Sequence, residues 1–543
     1  MKRTARECDY VIVGAGSAGC TLANRLTEDA DVSVLVLEAG GWDRDPWISV
    51  PLGWGRIYTR HLHDWNFQTD PELNLNNREI ECARGKVIGG CSSTNAMAYV
   101  RGHCSDYDRW AGSGLKLWSY AHVLPYFKKQ ESWERGEDQY RGGDGPLTTQ
   151  ETRYSDPLIE ACIAAGIEAG HPFTSDYNGK QQEGIGRIQS TIQNGRRCSA
   201  SVAYLKPALK RKNLAVEVGA FVKKILMEGD KAVGVEYWQG GVNFVVRVLR
   251  EVILCGGVIN SPRLLMISGI GEPDDLLSHG IEPKIALQGV GKNLQDHISP
   301  VIHFTRREPG PFHRMMRMDR IAFALVQCYC FGTGFASDVP SGLIAFLKSD
   351  PTLSVPDLQI LLNAAPLSAK PYLHPKLGSF QDGFGFRVVL LRPESRGSVK
   401  LRSSDPFMPP RISHNFLTAT AEWASLRLGI KLVREMASRS SLKAFIGKEI
   451  VDDDAKGSTK KELDAFIRSK ALTTHHPAGT CKMGTTTDDM AVVDEQLRVF
   501  GARGLRVVDA SVMPNLVGGN INAPVIMIAE KAADVIRRRS VLS

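Results

Sequence analysis

A chain of 543 residues is long enough for two or three domains with large cores, and 43% hydrophobic with 23% charged residues is ordinary for a water-soluble globular protein. The net charge of +8 is spread without a clustered basic run, which argues against a nucleic-acid partner, and no apolar stretch approaches membrane length. Eleven cysteines, an odd number without regular spacing, fit a reduced compartment rather than a disulfide framework, and Cys328-x-Cys330 lacks metal-ligand spacing, so no metal is expected. The opening MKRTARECDYVIV enters a strand-like run at once, without a charged-then-apolar leader, so a cytoplasmic location is expected.

The apolar run Tyr10 to Val13 reads as a buried parallel strand ending in Gly14-Ala15-Gly16-Ser17-Ala18-Gly19. A helical pattern follows through Leu22 and Leu26, and a second apolar run, Val32 to Leu37, stops at Glu38. These are the parts of a dinucleotide-binding βαβ unit. Gly14 permits the tight turn, Gly16 lets a pyrophosphate approach the backbone, and Gly19 lets the helix pack on the strand. The helix start offers unpaired N–H groups to the phosphates, and Glu38 falls where a carboxylate can accept hydrogen bonds from a ribose.

Trp42 to Asp70 reads as a long irregular segment. Arg84 to Met97 (RGKVIGGCSSTNAM) is a small-residue run that allows very close backbone approach to a ring or an anion. Cys198 to Lys210 suits a short helix ending before Pro207. Strand grammar returns at Leu214 to Phe221, Lys231 to Trp238, Asn243 to Arg250 and Glu251 to Cys255, the last closing on Gly256-Gly257 before a helix. Gly289 to His297 reads as the exit from this nucleotide domain. Phe312 to Phe335 is Met-rich, aromatic and basic; Ile321 to Cys330 reads as an amphipathic helix, taken as a core helix of a second domain. The alternatives are a lid over the substrate or a surface that touches lipid. Asp357 to Leu362, Phe386 to Arg392 and Ser398 to Arg402 read as antiparallel strands, with Glu394 to Gly397 turning between the last two. Trp423, Leu426, Ile430 and Val433 share one helical face.

The tail holds two chemically rich stretches, Thr474 to Gly484 (THHPAGTCKMG) and Gly504 to Pro524. Leu505 to Val508 is a short strand ending at Asp509, which can hold a ribityl or phosphate-side hydroxyl. Asn522 is a natural N-cap, with Pro524 just inside the last helix. That helix start is a positive pole suited to the negative edge of a reduced flavin.

With these motifs in order, the chain resembles the glucose–methanol–choline (GMC) oxidoreductases over essentially its whole length. The matching pieces are GAGSAG with Glu38, GKVIGGCSSTNAM, EVILCGGVINSPRLL, GVGKNLQDH, PESRGSVKL, HHPAGTCKMG and the DASVMPNLVGGNINAPVIMIAEKAAD tail. The resemblance implies an α/β protein. Its Rossmann-like FAD-binding domain would take residues 1–300 completed by 475–543, and an α+β substrate domain with a mainly antiparallel sheet would take 301–474. Residues 155–195 fall between them, possible contributors to the substrate side.

It implies cofactor contacts from Gly14, Gly16, Ser17, Ala18, Gly19, Glu38 and Ala39, and from Val87, Gly89, Gly90, Ser92, Asn95, Ala96 and Met97. Further contacts fall to Val222, Gly256, Asp509, Ala510, Asn520, Asn522 and Ala523. His476, three positions before the Gly of HxxGT, matches the family's catalytic base, and Asn520 its partner. An alcohol loses hydride readily only as alkoxide character builds, so a neutral imidazole takes the proton while an amide donates to the oxygen. His475, adjacent on an extended segment, is expected to point away and serve structure. Thr94 stands where some members tether FAD through His, so dissociable FAD is expected. The activity implied is oxidation of an alcohol to an aldehyde or ketone by hydride transfer to flavin N5, with a quinone or another carrier reoxidising the flavin. An O₂-using oxidase and a non-redox hydroxynitrile lyase of the same fold are the alternatives.

Overall fold

The computed structural model describes residues 6–366, 368–373, 375–451 and 459–539. The outermost residues of the predicted nucleotide domain, and 452–458 of the second, therefore lie outside the described residues.

A seven-stranded sheet carries the nucleotide unit. Arg6–Val13 lies between Val34–Glu38 and Val242–Leu254, parallel to both, and Leu214–Val218 extends the parallel set. The inner segments Tyr10–Val13, Val34–Leu37 and Val252–Leu254 are apolar and buried because helices cover them: Ser17–Leu26 buries Leu22 and Leu26, and the Asn522–Ile536 helix packs beside it. On the other side, Lys231–Gln239 and Phe221–Glu228 continue the sheet as an antiparallel meander.

Two strand expectations need correction. The stretch Leu214 to Phe221 breaks at Gly219 (φ +65°), whose N–H donates to the Gly40 carbonyl, and a new strand begins at Phe221. The two runs after Asn243 are one strand, Val242–Leu254, since no Gly or Pro interrupts it. Its first part pairs antiparallel with Lys231–Gln239, and from Val246 onward it also pairs parallel with Arg6–Val13. Nor does the helix near Cys198 end before Pro207. A wide turn, Ser201–Leu205, leads into Lys206–Ala208, where Pro207 occupies a first-turn position that needs no N–H.

The second sheet is antiparallel and six-stranded, ordered Ile446–Ile450, Val301–Arg306, Gly383–Leu390, Leu358–Asn363, Leu343–Leu347 and Gly184–Arg187. Phe304, Phe384, Ile360 and Leu358 fill its core, against Leu426, Ile430 and Val433 of the Thr420–Ser438 helix; Trp423 is half-buried beside them. Ser398–Lys400 does not join this sheet. It pairs with Arg411–Ser413, because Gly397 exchanges hydrogen bonds with Leu294 and Val399 donates to Gly291, which draws the chain back to the nucleotide side.

The amphipathic helix runs Met318–Phe331, but it is not a core helix. Ile321, Ala324 and Cys328 face inward, while Phe323 (69% exposed) and Phe331 (75%) face out. Among the described residues no helix is long and apolar enough to cross a membrane, and all eleven cysteines are free.

Candidate active site

The first turn excludes a side chain at two positions. At Gly14 (φ +101°) a Cβ would lie 2.5 Å from the Cys255 carbonyl oxygen, and at Gly19 one would lie 1.9 Å from the Gly14 oxygen. The second Gly-rich loop rests on this turn. Gly90 (φ +51°) sits so close that its Cβ would meet Gly16 Cα at 2.8 Å, and the Gly89 N–H donates to Ala15 at 2.7 Å. Glu38 is buried; its carboxylate accepts from the Ala15 and Gly40 amides at 2.9 and 2.7 Å, and desolvation raises its pKa.

These elements bound a cavity of about 390 Å³ that touches both sheets. Gly14, Gly16, Ser17, Ala18, Glu38 and Ala39 line it from the first βαβ unit. Gly90, Asn95, Ala96 and Met97 line it from the small-residue run, Val222 from the edge strand Phe221–Glu228, and Gly256 from the turn after Val242–Leu254. The tail supplies His476, Asp509, Ala510, Asn520 and Asn522. Gly19, Val87, Gly89, Ser92 and Ala523 lie behind this lining: Val87 packs with Ile48 and Ile57, and the Ser92 hydroxyl donates to the Gly89 carbonyl. Asn522 is not the cap of the last helix. Ile521 holds that position without a side-chain hydrogen bond, and Asn522 Oδ1 accepts instead from the Ser17 hydroxyl at 2.8 Å, tying the first and last helices. Asp509 is buried and raised in pKa by desolvation; it accepts from the Gly257 amide, the Ser261 hydroxyl, and the Ser511 amide and hydroxyl. With both oxygens twice engaged, its first duty is to fix three segments around the cavity.

A directed chain of hydrogen bonds converges on His476. The Leu391 carbonyl can only accept, so the His297 Nε2 at 3.1 Å carries its proton. Burial pushes the His297 pKa down to about 4, so its Nδ1 is bare. That atom lies 3.1 Å from His476 Nδ1, which must therefore be the donor. The Thr474 hydroxyl donates to the His297 carbonyl and offers its own lone pair to the same His476 nitrogen at 3.1 Å. His476 is held well below the ordinary imidazole pKa by burial, then by His297, Arg84 and His475, so its Nε2 is unprotonated. The Asn520 amide donates to that Nε2 at 3.1 Å, and its Oδ1 accepts from Gln359 Nε2 at 3.1 Å. Asp296, raised by burial to about 7, accepts from the His476 backbone N–H at 2.9 Å and from the Thr473 hydroxyl.

His475 departs from the expectation of opposite faces. Its left-handed backbone (φ +62°) turns the chain, so both histidines line the cavity, and its ring meets Tyr58 edge-on at 5.6 Å. Sequence reasoning also passed over His297, Asp296, Gln359, Tyr58 and Arg387. An acid–histidine pair in the motif GVGKNLQDH was visible, yet it read as a domain exit because nothing local tells which segment meets His476.

The donor set fits a flavin dinucleotide. A long cradle that a Cβ would fill, bounded by two helix N-termini and a buried carboxylate, accepts a pyrophosphate and ribose, and a bare imidazole nitrogen beside a side-chain amide suits a hydroxyl at its other wall.

Models of the GMC oxidoreductase family match residues 8–299 and 393–529. Human mitochondrial choline dehydrogenase is 43% identical over 99% of this chain and 91% of its own length. The oxygen-dependent choline dehydrogenase of Sinorhizobium fredii is 43% identical over 98% and 95%. Among solved structures, pyridoxine 4-oxidase from Mesorbium loti superposes with a TM-score of 0.87 at 32% identity over 98% of this chain and 99% of its own. A formate oxidase from Aspergillus oryzae does so at 0.90 and 26%, with 98% of both chains covered.

Proposed function

Because the chain belongs to the GMC oxidoreductase family, as an FAD-dependent oxidoreductase acting on CH–OH donors, we propose that His476 is the base of that oxidation and Asn520 its hydrogen-bonding partner. The observation that carries this reading is the single direction of the chain from the Leu391 carbonyl, which leaves His476 Nε2 as the bare nitrogen at the cavity wall. Bound FAD supplies the hydride acceptor, its N5. A substrate hydroxyl that displaces the Asn520 amide from Nε2 donates its proton there, and the freed amide donates to the oxygen as negative charge builds. Proton acceptance at Nε2 makes His476 cationic. Since His476 Nδ1–H already points at the lone pairs of His297 and Thr474, both then act as acceptors for an imidazolium. The product is an aldehyde or ketone.

We assign residues 1–300 with 475–543 to the FAD-binding domain and 301–474 to the substrate domain, and Gly184–Arg187 supports counting 155–195 toward the substrate side. Thr94 lines the cavity and has no nitrogen for a flavin tether, which supports dissociable FAD. Eleven free thiols support a reducing compartment such as the cytoplasm. Electrons pass on to a quinone or another carrier. O₂ is the second reading, favoured by the oxygen-dependent bacterial relatives. The test is anaerobic bleaching of the flavin by an alcohol panel that includes choline, followed by reoxidation with O₂ or a quinone analogue. His476→Ala should keep yellow FAD and lose about 10²–10⁴-fold in reduction rate; unchanged reduction would reject the assigned base.

A further inference from the structure

The second sheet forms the wall of the cavity that faces the substrate. Its register sets Leu361 opposite Arg387 and Asn363 opposite Gly385, and side chains two residues apart share a face. Leu361, Asn363 and Arg387 all line the cavity with His476 and Asn520.

The charge at this wall is one-sided. Arg387 Nη1 donates to the Ser299 hydroxyl at 2.9 Å and, at 3.5 Å, to the Thr473 carbonyl; both are neutral, and among the described residues no carboxylate pairs with it. The other two arginines of the lining lie outside this sheet, Arg84 in the small-residue run and Arg263 in the Gly257–Ile267 helix. Arg84 donates to the carbonyls of Ala83 and His475, and Arg263 lies 5.3 Å from the centre of the Phe221 ring. The two acids of the lining are engaged by amide and hydroxyl donors. Glu38 is held by the amides of Ala15 and Gly40, and Asp509 by Gly257, Ser261 and Ser511. A guanidinium has five N–H donors in a planar fork, and most of those on Arg387 have no partner among the described residues. A half-buried cation with no counter-ion is costly unless an anion arrives to pair with it, and a carboxylate matches its geometry with two parallel hydrogen bonds. A cationic alcohol faces the opposite situation. Trp54 and Tyr58 offer aromatic faces to an ammonium group, yet Arg387 acts on Tyr58 electrostatically and repels such a charge.

We propose that the alcohol oxidised at this site carries a carboxylate, which Arg387 pairs with while the hydroxyl meets His476. This rests on the oxidation reading above and names the substrate class for it.

The test uses the FAD holoenzyme under anaerobic conditions. ω-Hydroxy acids of three to six carbons are each compared with the matching amide, together with choline and simple primary alcohols, by flavin bleaching. At least one acid should exceed its amide tenfold or more in reduction rate over dissociation constant, about 1.4 kcal/mol, with choline below both. Arg387→Gln should bring that ratio close to one, and Arg387→Lys should retain part of the preference. The proposal is overturned if every amide equals its acid, if choline is the best reductant, or if the preference survives in Arg387→Gln. Should that variant not fold, the acid-to-amide ratio of the unmodified protein decides alone. Bleaching by none of the compounds would instead strike at the oxidation reading itself, whereas bleaching by neutral alcohols without an acid preference would sink only the carboxylate.

Discussion

His476 owes its readiness to its neighbours. Desolvation and the nearby His297 and Arg84 depress its pKa, so it stays neutral at pH values where a free imidazole is largely protonated. If His476 is the base proposed above, only its neutral form accepts the proton, and a lowered pKa extends the active plateau toward acid. Flavin reduction followed from pH 8 to pH 5 should therefore reach half its maximum below pH 6.5; a midpoint at or above 6.5 would mean that burial does not govern this group. His297 fixes which nitrogen of His476 is bare. His297→Leu removes the Nδ1 acceptor, frees the other tautomer, and should slow reduction about tenfold or more while FAD stays bound; an unchanged rate in rapid-mixing experiments would show that Thr474 alone suffices. At this scale the sequence was readable where a motif is local. His476 sits in a recognisable stretch, and Asn520 sits in another. His297 and Arg387 lie 179 and 89 positions from His476 and reach it only through tertiary structure, so no spacing rule could have linked them.

Among elements, the first and last helices are locked together by a buried ion cluster. Glu530, fully enclosed in the Asn522–Ile536 helix, accepts from Nε and Nη2 of Arg25 at 2.7–3.0 Å, from the Tyr204 hydroxyl at 2.9 Å, and pairs with Lys129 at 3.3 Å. Removing the carboxylate leaves Arg25 with Glu28 and Lys129 with Asp534 but strips the Tyr204 hydroxyl and the Arg25 Nε of their acceptor, so Glu530→Ala should cost about 1–3 kcal/mol, read as a lower melting temperature; an unchanged melting temperature would show that water or a rearranged side chain fills the gap. The helix termini here were legible from glycines and from apolar period. The cap of the last helix was not, because Asn522 serves a contact with Ser17 that lies 505 residues away. The same limit explains the misplaced Ser398–Lys400 strand. Local alternation marks a strand but does not name its neighbour, and here the partner was set by Gly291 and Leu294.

Across the whole molecule, the flavin cradle is closed by both ends of the chain, so cofactor and fold should stabilise one another. If FAD is held without a covalent bond, denaturation in urea followed by filtration should release all yellow colour, and added FAD should raise the melting temperature in a concentration-dependent manner; colour retained on the protein would point to a covalent tether elsewhere than position 94. The division into a parallel nucleotide sheet and an antiparallel second sheet was legible because buried parallel strands read as unbroken apolar runs, whereas the sheet wall bearing Arg387 mixes polar and apolar residues. The long Val242–Leu254 strand has a mechanical consequence. Its outer half belongs to a hairpin that turns at Gly240-Gly241, and its inner half ends against Cys255, directly under the first glycine turn. Between them the pairing with the opening strand slips at Cys8–Tyr10, where one residue has no counterpart. That break in register separates the dinucleotide cradle from the hairpin, so lengthening the tip by a Gly-Ser pair should leave FAD affinity intact in a fluorescence titration, while the same insertion after Leu254 should abolish it.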